Sequence, residues 1–196
     1  MDFKILYTNT TQDDMNMINI IDETTRQIKI LIDHDLFFDS RTARNVKSNI
    51  KKVMKFWINV EIGQRKEKVL NDSFQSFYSN LLKLIIKKRK FKYLYQGTVY
   101  RYLGNFPYSN NLLDKVEYND TYVSWSKNEN VIKCIECKLC EPYIKLTAVI
   151  RNDNYGLDLE KFGIYKNNEQ EVVFPTIKDT IKKIECLACE EDKDEY

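Results

Sequence analysis

Asn167-Asn168-Glu169-Gln170-Glu171-Val172-Val173-Phe174-Pro175 is the stretch from which the β-rich half of this 196-residue chain is best read. Two carboxylates stand two residues apart and run into an apolar, β-branched segment that Pro175 closes, the pattern of a strand entered from a loop. Residues i and i+2 share a face of a strand. Glu169 and Glu171 are therefore expected on one side, with Val172 and Phe174 on the other, anchored in a core. An isolated Glu-x-Glu is most often a pair of surface glutamates on a strand edge. Reading it as a site depends on what the other strands carry.

Two upstream stretches set polar residues in the same kind of place. Thr98-Val99-Tyr100-Arg101-Tyr102-Leu103 is an aromatic, β-branched run holding one arginine, and Tyr122-Val123-Ser124-Trp125-Ser126 is another that ends in paired hydroxyls. From about Tyr95 onward the pattern is strand-like, and strands are expected at 97–103, 121–126, 131–139, 143–150, 170–175 and 180–188. Residues 104–120 read as a polar, turn-rich connection, and 151–168 as a second long loop holding Gly156, Gly163 and Tyr165.

Before Tyr95 a short strand is expected at 3–7, and the rest is helical. Met15, Ile18, Ile21, Thr25, Ile28 and Ile32 set one stripe over 13–33. Val46, Ile50, Val53 and Trp57 set a second, with Asp39 and Ser40 as N-cap candidates. Leu70, Phe74, Phe77, Leu81 and Ile85, widened by Tyr78 and Leu82, set the strongest. The expected organisation is a helical part over 1–94, a β-rich core over 95–190 and an acidic tail over 191–196.

Composition excludes little. Hydrophobic residues make up 43% of the chain and charged residues 31%, and the net charge of +2 gives no push toward nucleic acid or an anionic membrane. No window approaches a bilayer-spanning apolar length, and the first residues do not pair a basic region with an apolar one. A soluble, cytoplasmic chain without a membrane partner is expected. Lys87-Lys88-Arg89-Lys90-Phe91-Lys92 is the one strongly basic run. It could bind nucleic acid, cations on phosphates and rings on bases, but cations at a helix end also complement the dipole and face water, and that reading is preferred.

The five cysteines, Cys134, Cys137, Cys140, Cys186 and Cys189, have spacings that raise structural zinc. Neither run holds the glycine or proline of a tight knuckle, both read as strands, and an x-x spacing on a strand sends thiols to opposite faces, so no metal is expected. His34 is the only histidine and sits between Asp33 and Asp35 in what reads as a helix-end turn. It is a surface residue rather than half of a nucleophilic pair.

Taken in chain order, Arg101, Ser124-Trp125-Ser126 and Glu169-Gln170-Glu171 resemble the Arg-Ser-Glu class of mono-ADP-ribosyltransferases, over roughly residues 95 to 190. The resemblance implies an α+β fold: a helical N-terminal part followed by a core of two packed, roughly perpendicular mixed β-sheets. It also implies NAD as substrate, with Arg101 on the pyrophosphate and Ser124 and Ser126 in the nicotinamide-ribose site. Glu171 would be the catalytic carboxylate and Glu169 the group that holds an attacking guanidinium. Residues 151–168, with Tyr165, would be the target-recognition loop, and the partner a protein bearing an acceptor arginine. Trp125 departs from the threonine of the family motif, and strand alternation turns it away from the serines. Two other classes fit the same residues: an NAD glycohydrolase with water as acceptor, and an inactive relative or nucleic-acid-binding module using 87–92.

Overall fold

The computed structural model describes residues 12–40, 43–61, 68–103, 122–130, 143–164 and 170–187. The chain divides into two compact units, Met1–Tyr93 and Leu94–Tyr196. The expected strand at 3–7 and the cysteine-rich run at 131–139 lie outside the described residues.

The first unit holds three helices among the described residues, α1 (Gln12–Asp33), α2 (Arg44–Glu61) and α3 (Lys68–Lys87), with α1 packed on both others. Ile18, Ile21, Ile28 and Ile32 of the α1 stripe are buried, whereas Met15 is 46% exposed. Thr24 and Thr25 sit inside this helix without cost in lost hydrogen bonds, because their hydroxyls donate to the carbonyls of Ile20 at 2.6 Å and Ile21 at 2.8 Å. Trp57 of α2 stacks on Phe74 of α3, ring centroids 3.7 Å apart, and both are fully buried. Truncating a side chain so placed to alanine costs about 3–5 kcal/mol.

Both α1 and α3 end on a left-handed residue that is not glycine. Asp35 has φ 57° and Leu36 N–H reaches back to Leu31 O; Arg89 has φ 53° and Lys90 N–H reaches back to Ile85 O. His34 is exposed in the first of these turns. Asp39 gathers the next segment by accepting from Lys47 at 2.7 Å and from the buried Tyr93 hydroxyl at 2.9 Å.

Among its described residues the second unit forms a seven-stranded sheet. In chain order the strands are β1 (Leu94–Tyr95), β2 (Gly97–Leu103), β3 (Tyr122–Ser126), β4 (Tyr143–Ile150), β5 (Gly156–Asp158), β6 (Glu171–Pro175) and β7 (Ile181–Leu187). Across the sheet they lie β1-β5-β6-β3-β2-β4-β7. Every pairing among the described strands is antiparallel. The α+β class is as expected, but hydrogen bonds join the strands into one antiparallel sheet where the resemblance implies two mixed ones.

That sheet nevertheless has a seam. β2 pairs with β4 along its whole length, Gly97↔Ile150 to Leu103↔Ile144, and β3 pairs with β6 from Tyr122↔Pro175 to Ser126↔Glu171. Between β2 and β3 there is a single rung, Tyr100↔Ser126. One face of the sheet carries the core: Val99, Val123, Trp125, Leu146, Val172 and Phe174 with their neighbours. Alternation places Ser124, Ser126 and Glu171 on the other face.

The segment 151–168, expected as a loop, contributes a three-residue strand to the sheet and a 3₁₀ turn among its described residues. Leu157 and Asp158 of β5 pair with Val173 and Val172, and the 3₁₀ turn Leu159–Phe162 follows, capped by the Asp158 carboxylate and ended by left-handed Gly163. Three residues of strand give too short a pattern for periodicity to register. Gly156 fits here for want of space, since a Cβ at this position would lie 2.3 Å from Val172 Cγ1.

Candidate active site

The arginine, serine and glutamate singled out from the sequence come together at the seam. The Ser124 hydroxyl on β3 donates to Glu171 Oε1 on β6 at 2.7 Å. Arg101 on β2 donates from Nη1 to the Ser124 carbonyl at 2.7 Å. The positions are 47 and 23 apart in sequence, so these contacts are made by the fold and not by local geometry. Glu171 is 8% exposed and Ser124 and Arg101 are half-buried. A carboxylate so placed needs hydrogen bonds to replace its water, and the Ser124 hydroxyl supplies one.

Alternation explains how the serine and the glutamate arrive, whereas Arg101, two residues after Val99 and opposite Leu146, starts from the core-facing side of β2 and reaches the backbone carbonyl of Ser124. Ser126 stands directly opposite Glu171, and Ser124 is the next residue on that face, one step diagonally away. Val172 and Phe174 fix β6 through the core on the opposite face. Trp125 lies between the two serines in sequence and, as expected, turns into that core; it is 1% exposed and its indole N–H donates to Phe174 O at 3.1 Å. Ser126 closes the turn after β3, donating to Asn128 O at 3.0 Å and accepting from Asn128 N–H at 2.9 Å.

β6 begins at Glu171, and Gln170 before it is left-handed, with φ 47°. Glu169 and Tyr165 lie outside the described residues. So do Cys134, Cys137, Cys140 and Cys189, while Cys186 has its backbone on β7 opposite Ile144. Among the described residues no cluster of three or more His, Cys, Asp or Glu side chains could hold a metal ion.

A second polar cluster adjoins Glu171, and nothing in the sequence had pointed to it. The Lys127 ammonium, 13% exposed, lies 3.2 Å from Asp158 Oδ2 and 2.6 Å from Glu160 Oε2, and 5.7 Å from the centre of the Tyr95 ring. Burial works to lower the pKa of Lys127, but the bond to Glu160 and the charge of Asp158 outweigh it and leave the value raised. Burial likewise raises Tyr95, whose hydroxyl donates to Thr98 O at 3.0 Å. The one available sequence signal was an acid, Asp158, between two leucines.

The basic run is engaged with the end of α1 and the turn after it. Lys87 donates to Ile32 O at 2.7 Å and Lys88 to the backbone and carboxylate of Asp35, so both meet acceptors at the end of α1. Lys90 and Lys92 lie over the rings of Phe37 and Tyr93. No helix among the described residues is long and apolar enough to cross a membrane. No family model matches the chain, and neither a curated protein nor a solved structure matches it.

Proposed function

We propose that this chain is a mono-ADP-ribosyltransferase that cleaves NAD and transfers ADP-ribose to an arginine side chain of a protein. The observation that carries the reading is the hydrogen bond from Ser124 to Glu171 with Arg101 on the Ser124 carbonyl, which unites the three residues on which the resemblance rests. The two ladders that meet at one rung are the counterpart, in this reading, of the family's two sheets.

The donor set suits the chemistry of NAD. Breaking the bond between C1′ of the ribose and the nicotinamide nitrogen sends the electron pair to the pyridinium, leaving neutral nicotinamide and an oxocarbenium-like sugar. Glu171 stabilises that positive charge and accepts from the ribose 2′-hydroxyl, and Ser124 holds it in orientation. Arg101 ties β2 to β3 and presents its planar fork to the pyrophosphate. The acceptor guanidinium nitrogen forms the new bond to C1′ and gives up a proton, the step assigned to Glu169.

Labelled NAD incubated with the protein and a cell lysate tests the reading. Label transferred to protein arginine by the native chain, and lost with Glu171→Gln, is the expected result. Absence of both transfer and nicotinamide release overturns it.

A further inference from the structure

We infer that Lys127 is a positioning residue for Glu171, clasping the entry of β6 from both sides. β6 lies between β5 and β3 in the sheet, with Ser126 opposite Glu171 on one flank and Asp158 opposite Val172 on the other. Lys127 follows directly on Ser126. Its backbone N–H donates to Gln170 O at 3.1 Å, fixing the left-handed residue that delivers Glu171 to the strand. Its side chain spans to the far flank, with the ammonium on Asp158 and Glu160. One residue thus fastens β3, the turn before β6 and the end of β5 around a single carboxylate.

The strength of the clasp lies in its burial. Asp158 is 6% and Lys127 13% exposed at the side chain, so breaking the pair leaves a buried charge without its partner. Asp158 also accepts the Glu160 amide at 3.2 Å, which fixes the carboxylate before the lysine reaches it. Arginine at position 127 keeps the charge and can reach both acids. Methionine keeps length and bulk and removes the charge.

The inference rests on the proposed NAD chemistry for its kinetic arm alone. Lys127→Met is expected to lower kcat for nicotinamide release by about tenfold to a hundredfold, the scale of a displaced catalytic group, with KM for NAD within about twofold. Lys127→Arg is expected to restore kcat. Amide hydrogen exchange supplies an arm that needs no activity: residues 171–173 should exchange at least about tenfold faster in Lys127→Met, with β4 and β7 unchanged and Lys127→Arg like the native chain. Unchanged exchange at 171–173, or exchange rising equally across the whole sheet, overturns the clasp. A native chain that cleaves no NAD while the exchange responds as described sinks the proposed function and leaves the clasp standing.

Discussion

Gln170 has a backbone conformation that side chains with a Cβ avoid, at a cost of about 1–2 kcal/mol, directly before the glutamate that carries the proposed chemistry. Gln170→Gly should therefore raise the melting temperature of the β-rich unit or leave it unchanged; a clear loss of stability would mean that the glutamine side chain has a partner that outweighs the strain. The proposed chemistry gives the two acids beside it separable roles. Glu171→Gln is expected to abolish both nicotinamide release and transfer, since every acceptor needs the bond broken. Glu169→Gln is expected to lose arginine modification and keep measurable NAD hydrolysis, because water attacks the oxocarbenium ion without that help. Loss of hydrolysis in both variants to the same degree would refute the division. At this scale much was legible. Alternation alone sent Trp125 into the core, and the resemblance to the Arg-Ser-Glu motif grouped Arg101, Ser124 and Glu171. The left-handed turn at Gln170 and the Lys127 clasp were not, because an αL residue other than glycine leaves no mark in composition and an ion pair across 31 positions leaves none in local pattern.

Among elements, legibility followed length. The strands β2 and β4 and the helix α3 each carry seven or more residues, enough for a period to declare itself. β1, with two residues, and β5, with three, carry too few, so the segment around Gly156 reads as loop. Its glycine is where the packing is tightest. Gly156→Ala places a methyl group against Val172 Cγ1 and should destabilise the sheet by about 1–3 kcal/mol, the usual cost of overpacking, read as a lowered denaturation midpoint with the slope unchanged. An alanine variant as stable as the native chain would show that β5 can move away from β6. Within the helical unit the segment between α1 and α2 hangs on Asp39. Burial alone would raise its pKa, but the bonds from Lys47 and Tyr93 prevail and hold it below the usual aspartate range. A carboxyl with a lowered folded-state pKa stabilises above its unfolded value and loses that contribution as pH falls through the folded one. Asp39→Asn should accordingly lower the melting temperature at neutral pH, and the gap to the native chain should close below about pH 3.8.

For the whole molecule, the two tryptophans give each unit its own reporter, Trp57 in the first and Trp125 in the second, both buried. In chains carrying Trp57→Phe or Trp125→Phe, fluorescence should follow one unit at a time, and the acid response altered by Asp39→Asn should appear in the Trp57 signal alone. An equal response from Trp125 would mean that the units melt as one. The single rung at Tyr100 and Ser126 has a mechanical meaning. Two ladders joined by one rung would bend most easily along that line, and Arg101 sits on one ladder while Ser124 and Glu171 sit on the other. A dinucleotide gripped by both ladders would freeze that bending, so the entropy lost on binding would be concentrated in one angle rather than scattered over the chain.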